Sequence, residues 1–288
     1  MQGEIVIVTG ANSGIGKVTA ASIADRGATV VLACRSRERG EAALDELRLV
    51  KERHVELMHL DLADLESIRA FAAAFAARYD RLDVLVNNAG ILGRRRAETR
   101  QGFEMSLGVN YLGPFLLTQL LLPLLEKSVQ GRVVMMSSVA HGWGDVRFDD
   151  LNFKHGYNRF RAYGQSKLCN LLFTRALAQK LRARGSRVTI NAVHPGIVAT
   201  NIVVNRANNR FRWVAVLMRL FFRTCEQGAE TSVFLACDPS LSGVSGEYFM
   251  DCKVEPSSEV SRDTVRANKL YDLSLSLVGL EPDPLSAS

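Results

Sequence analysis

Short unbroken apolar runs alternate along this chain with longer segments of helical composition. Ile5–Thr9 is a β-branched run ending in Gly10, which predicts a buried strand feeding a turn. The same signal recurs at 28–33, 55–60, 82–86, Arg132–Met136 and 188–193. Between these runs, 15–26, 38–51, Leu65–Arg78, 110–126 and 162–184 read as helices, the fourth tolerating Pro114 in its early turns. Strands that are apolar throughout belong in a parallel sheet covered by helices on both faces. Right-handed crossovers then give an α/β, doubly wound, Rossmann-like sheet. With no repeats or low-complexity tracts, residues 1–288 are expected to form a single domain, with a frayed tail at about 281–288.

Ligands of such sheets bind beyond the carboxyl ends of the strands. Polar or turn-forming residues stand at those ends here: Gly10, Asp61, Asn87, Ser138 and Pro195. The first is part of Thr9-Gly-Ala-Asn-Ser-Gly-Ile-Gly16, set between strand and helix. Glycines let backbone approach a pyrophosphate, and the helix N-terminus supplies N–H donors and a favourable dipole. The spacing G-x-x-x-G-x-G differs from G-x-G-x-x-G, but three glycines in this context predict a dinucleotide site. Further along, Tyr163-Gly-Gln-Ser-Lys167 sets a phenol and an ammonium one helical turn apart on one face. A free phenol titrates near a pKa of about 10, and a nearby positive charge lowers it. The pair therefore reads as a tuned general acid/base.

Composition narrows the alternatives. The 47% hydrophobic content suits a buried sheet. Five scattered cysteines, never in a C-x-x-C pair, argue against a disulfide framework or a metal site and fit a reducing compartment. The formal charge of +6 suits an anionic cofactor. Arg94-Arg-Arg96 is the tight basic cluster, but no nucleic-acid-binding motif accompanies it, so no nucleic-acid partner is expected. No run reaches the roughly 20 apolar residues of a membrane span, and the chain opens almost directly on a strand. The expected location is cytoplasmic, with membrane contact at most peripheral through the apolar stretch 213–222.

These motifs together resemble the short-chain dehydrogenase/reductase family over nearly the whole chain, from Ile5 to about Phe249. The resemblance rests on Thr9 to Gly16, Asn87-Asn-Ala-Gly90, Asn110, Ser138, Tyr163 with Lys167, and Pro195-Gly196. Leu32-Ala-Cys-Arg35, Gly102-Phe-Glu-Met105, Val109-Asn-Tyr-Leu-Gly113, Leu168-Cys-Asn-Leu-Leu-Phe-Thr-Arg175 and His194-Pro-Gly196 are similar to its retinol dehydrogenase branch. The resemblance implies that Tyr163 is the acid/base, that Lys167 lowers its pKa and binds the nicotinamide ribose, and that Ser138 binds the substrate oxygen. It also implies that Asn110 holds a water linking Lys167 to solvent. The residues expected to line the cofactor are Gly10, Asn12, Ser13, Gly14, Ile15, Gly16, Lys17, Arg35, Asp61, Leu62, Asn88, Ala89, Gly90, Tyr163, Lys167, Pro195, Gly196, Ile197, Val198 and Thr200. Asp61 either contacts adenine or caps the helix after it, and Thr200 either contacts the nicotinamide amide or caps a helix. Ser137 is a strand-end group, and His141 and His194 are expected to make local hydrogen bonds.

The second strand ends Ala33-Cys34-Arg35, with no carboxylate until Glu38. An NAD site commonly carries Asp or Glu there, whereas Arg35, helped by Lys17 or Arg37, suits a phosphate. The expected cofactor is NADP(H). An apolar stretch within 197–225 is expected to form a lid over a small apolar carbonyl or alcohol substrate of retinal/retinol type. Steroids, lipid aldehydes and xenobiotic carbonyls are the rival substrates. A nucleotide-binding scaffold without turnover is the rival class, and the intact set Asn110, Ser138, Tyr163 and Lys167 favours the enzyme. The oligomeric state stays open, a homo-oligomer included.

Overall fold

The computed structural model describes residues 1–50, 53–196 and 223–281. Among these, the strands are β1 (Ile5–Thr9), β2 (Thr29–Cys34), β3 (Val55–His59), β4 (Val84–Asn87), β5 (Arg132–Met136), β6 (Thr189–Val193), β7 (Tyr248–Met250) and β8 (Lys253–Val254). They join in one sheet of order β3-β2-β1-β4-β5-β6-β7-β8, parallel throughout except for the last pair. This is the doubly wound α/β sheet expected from the strand pattern. The order reverses between β1 and β4, and it is at such a switch point that a crevice opens beyond the strand ends.

The helices are α1 (Gly14–Ala24), α2 (Arg37–Val50), α3 (Leu65–Arg78), α4 (Met105–Leu125), α5 (Arg159–Ala183), α6 (Cys225–Cys237) and α7 (Thr264–Leu277). Alternate strand residues feed two cores. Val6, Val8, Val30 and Leu32 meet α1, α2 and α6 on one face. Ile7, Val31, Leu85 and Val133 meet α3, α4, α5 and α7 on the other. Each such aliphatic side chain withdrawn from water contributes about 1.5–3 kcal/mol, which is why both faces of these strands are apolar.

Helix α4 starts earlier than the sequence suggested, at Met105 rather than 110. The buried Glu104 carboxylate accepts from Leu107 N at 2.9 Å and caps it. A π-helical turn at Gly108–Leu112 follows, just before Pro114, and absorbs the register change that a residue without an N–H imposes. The resulting 21-residue helix is long and apolar enough to cross a membrane by composition, which corrects the expectation of no such run. It is largely buried, however, as a core helix beneath α3, α5 and α7.

The two short strands β7 and β8 and helix α7 were not anticipated. Helix α7 closes the face formed by α4 and α5, through Tyr111 Oη to Ser274 Oγ at 2.6 Å and Gln119 Nε2 to Tyr271 Oη at 3.0 Å. The expected lid at about 197–225 lies outside the described residues except for its last three. Ile197, Val198 and Thr200, the stretch 213–222 and the tail beyond 281 also lie outside them.

Candidate active site

Strand β1 hands the chain to α1 through two glycines in the left-handed region, Gly10 (φ +67°) and Gly14 (φ +56°). Ser13 stands at the N-cap but makes no side-chain cap, and the first turn of α1 carries no acidic residue. Its N–H groups and the positive end of its dipole are therefore turned toward the space beyond β1. A Cβ on Gly16 would stand 2.4 Å from Asn88 Nδ2 and 2.6 Å from the Gly10 carbonyl oxygen. Asn88 in turn donates to Thr9 O at 2.8 Å, and Ala89 N donates to Thr9 Oγ1 at 3.0 Å. These bonds lock the ends of β1 and β4 side by side. The result is a backbone-lined cradle that fits a pyrophosphate.

The cations near this cradle are arranged differently from expectation. Arg35 is exposed directly after β2. Lys17 pairs with Glu46 of α2, and Arg37 pairs with Glu41 at 2.8 Å, so both meet carboxylates rather than the cradle. Arg39 reaches over it instead: its Nη2 donates to Ser13 Oγ at 3.4 Å. With the Asn12 amide turned to meet it, Nε and Nη2 both lie 3.2 Å from the Asn12 oxygen. The sequence reading missed Arg39, which lies in the first turn of α2, two residues after Arg37.

Asp61 follows β3 by two residues; its Oδ1 accepts from Ala63 N at 2.9 Å. The N-cap of α3 is Asp64, accepting from Glu66 N at 3.1 Å, so the capping role weighed for Asp61 belongs to Asp64. Leu62 is buried beside α4, its carbonyl 2.8 Å from where a Cβ on Gly113 would lie. Gly90 lies against the amine of Lys167: a Cβ there would stand 3.4 Å from Lys167 Nζ and 3.5 Å from Asn110 Oδ1. Pro195 and Gly196 follow β6 and are half-buried, Gly196 at φ +80° and pressed against Arg223.

Beyond β5 the two serines separate by function of their hydroxyls. Ser137 Oγ donates to the Lys167 carbonyl at 3.0 Å and fastens α5 to the sheet. Ser138, extended, caps the 3-10 turn Val139–Trp143, its Oγ accepting from Ala140 N at 3.2 Å. The same hydroxyl lies near enough to the Tyr163 phenol to lower its pKa. Two glycines permit that approach, because a Cβ on Gly144 would lie 2.4 Å from the Gly164 carbonyl oxygen. Backbone therefore meets backbone between the Ser138 turn and the helix that carries Tyr163.

Lys167 is fully buried, one turn from Tyr163, and its Nζ donates to Met136 O at 2.9 Å. Asn170 Nδ2 reaches the same carbonyl at 3.0 Å, a support that the sequence reading did not single out. The amine lies 5.6 Å from the Tyr163 ring centroid, beneath the ring. Burial pushes the Tyr163 phenol above its ordinary value, and the Ser138 hydrogen bond pulls it back in part. Burial also pulls Lys167 down to about 8. The expected lowering of the phenol by the lysine is therefore corrected: desolvation raises it, and the group that lowers it is Ser138 rather than Lys167. Asn110 sits in the π-helical turn with both amide hydrogens used: Nδ2 donates to Ile91 O at 2.9 Å and Ser166 Oγ at 3.0 Å, while Oδ1 accepts from Ile91 N at 2.7 Å and keeps one lone pair. His194 is buried, with its pKa down at about 4 through burial and then through Arg223.

The comparisons with known proteins agree with one another. A family model described as short chain dehydrogenase matches residues 4–210. Human retinol dehydrogenase 14 is 44% identical over 302 residues, covering 97% of this chain and 88% of its own length. An uncharacterised protein from Mycobacterium paratuberculosis superposes with a TM-score of 0.81 at 36% identity, over 98% of this chain and 96% of that one. A variant of actinorhodin polyketide ketoreductase, solved with NADPH, gives a TM-score of 0.69 at 26% identity, over 86% and 97%.

Proposed function

This chain belongs to the short-chain dehydrogenase family, whose members are nicotinamide-dependent oxidoreductases of alcohol and carbonyl groups, and we propose that it acts with NADP(H) on an apolar carbonyl/alcohol pair of retinal/retinol type. One observation carries the reading. Ser138 stands close enough to lower the pKa of the Tyr163 phenol, whose ring lies over the buried amine of Lys167, at the carboxyl end of β5 and beside Gly90.

The chemistry follows from that geometry. The bound nicotinamide supplies or accepts the hydride. Gly10, Asn12, Ser13, Gly14, Ile15 and Gly16 would hold the pyrophosphate end, with Asp61, Leu62, Asn88, Ala89 and Gly90 lining the crevice. Ser138 would donate to the substrate oxygen, and Tyr163 would pass its proton to that oxygen as the alcohol forms. A phenol held above its ordinary pKa keeps its proton at neutral pH, which suits the reductive direction. Lys167 would bind the ribose and return a proton to Tyr163. Asn110 would position the water that resupplies it.

The NADP(H) preference rests on Arg35 and Arg39 near the end of β2, where Ala33-Cys34-Arg35 offers no carboxylate to a ribose hydroxyl. The apolar substrate rests on the exposed Val139, Trp143 and Phe160 around Ser138 and Tyr163, and on the apolar sequence of 202–222. The similarity to proteins named retinol dehydrogenases points the same way. The test is a panel of retinal, straight-chain aldehydes and short polar carbonyls, each assayed with NADPH and NADH. Efficiency is expected to climb with apolar chain length, by up to about 0.8 kcal/mol per buried methylene, with NADPH preferred. Equal efficiency on short polar carbonyls would overturn the substrate assignment.

A further inference from the structure

His141 is buried beside the reacting groups, yet it has no proton to move in the scheme above. It belongs to the 3-10 turn that Ser138 caps. Its Nδ1 lies 2.6 Å from the backbone carbonyl of Ser138, and its Nε2 lies 3.2 Å from the backbone N of Ser258. An N–H can only donate and a carbonyl can only accept, so both contacts are satisfied by one form of the ring. Nε2 accepts from Ser258, and Nδ1 carries the proton and donates to Ser138. The ring is therefore neutral with a fixed tautomer. Burial, and then the Arg175 guanidinium, hold its pKa below the usual histidine value against the pull of the Ser138 carbonyl. Tyr248 packs edge-on against it, with ring centroids 5.0 Å apart.

The loop that supplies Ser258 is itself tied to α5. Arg175 Nη1 donates to Ser261 O at 2.6 Å, and Nη2 donates to Ser257 Oγ at 2.9 Å. Helix α5 also carries Tyr163 and Lys167. The contacts run from Ser138 through His141 to Ser258, and from its neighbours Ser257 and Ser261 through Arg175 into α5, the helix of Tyr163. Ser138 is thus held from behind through its carbonyl while its hydroxyl faces Tyr163.

We propose that His141 is a positioning residue for the reaction. As a neutral Nδ1–H donor, it sets the Ser138 hydroxyl against that of Tyr163 through the turn between them. This rests on the oxidoreductase reading and adds a residue to it.

Two variants separate the ring's two contacts. In His141→Gln the amide reaches the Nε2 position and can still accept from Ser258, but the donor to Ser138 is lost. In His141→Asn the amide nitrogen takes the Nδ1 position and keeps that donor. His141→Gln is expected to lower kcat about tenfold, the scale of one lost buried hydrogen bond, with KM for the aldehyde and the Kd for NADPH within about twofold. His141→Asn is expected to recover most of the loss. An unchanged kcat in His141→Gln would overturn the proposal, as would equal loss in both variants together with a fallen Tm. Long-range nitrogen–proton NMR on the unaltered protein supplies a readout that needs neither variant nor turnover. An Nδ1-protonated neutral ring is expected, and an Nε2-protonated or charged ring would overturn the assignment. Absence of turnover in the unaltered protein counts against the oxidoreductase reading, while the ring's tautomer still decides the role of His141.

Discussion

Replacing Gly16 with alanine adds one methyl group at the tightest point of the cradle. The new Cβ would stand 2.4 Å from Asn88 Nδ2 and 2.6 Å from the Gly10 carbonyl oxygen. Neither neighbour is the free end of a flexible side chain. Asn88 is held by Thr9 O at 2.8 Å, and the Gly10 oxygen belongs to a turn fixed at positive φ. Overpacking of this kind costs about 1–3 kcal/mol, which corresponds to about 5- to 150-fold in an equilibrium constant. If the turn moves, the strain appears as weaker NADPH binding. If the turn holds, it appears as lost stability, at about 2–4 °C of Tm per kcal/mol for a chain somewhat smaller than this one. Gly142→Ala is the control, because a Cβ there meets nothing within 4 Å and its φ is not positive. The assays are a direct NADPH titration by fluorescence and a thermal melt on the apo protein. A Gly16→Ala protein whose Kd and Tm both match those of Gly142→Ala would refute the close-approach argument and the cradle with it.

Removing the guanidinium in Arg39→Ala is expected to raise the Kd for NADPH about tenfold or more, the scale of a charge-assisted hydrogen bond, while NADH binding stays nearly constant; equal effects on both cofactors would count against a phosphate contact. Arg35→Ala is expected to behave in the same direction. The low pKa of His194 makes stability depend on acid: the unfolded chain takes up its proton near 6.5, and the folded protein resists until about 4. Its contribution is therefore complete above about pH 6.5, falls as pH drops toward 4, and levels off below that. His194→Gln should flatten the urea midpoint across that window, and an unchanged slope would remove His194 from the account.

The sheet was legible because β1, β2, β4, β5 and β6 are buried on both faces and so read as nearly unbroken apolar runs, with the half-buried edge strand β3 beside them. Strands β7 and β8 were not, being three and two residues long. Helix α7 buries Ala267, Leu270, Tyr271, Ser274 and Leu275 on its inner face, a helical spacing blurred by a serine in a core position. The early start of α4 was hidden because its cap is a buried glutamate rather than an exposed serine or aspartate. At the site, local spacing placed Tyr163 and Lys167 on one face, but it could not show that the amine turns under the ring toward Met136. Arg39 acts across the turn from another helix, and His141 pairs with a backbone group 117 residues away. Contacts of that span are products of the topology and leave no local pattern.

In the proposed reaction Tyr163 delivers the proton. Tyr163→Phe keeps the ring over Lys167 and removes only the hydroxyl. The direct measurement is kcat for NADPH-dependent reduction of retinal by the Tyr163→Phe and unaltered proteins, with the NADPH Kd measured alongside. The expected result is a fall of about 100-fold or more in kcat with cofactor affinity retained. Turnover close to that of the unaltered protein would contradict it.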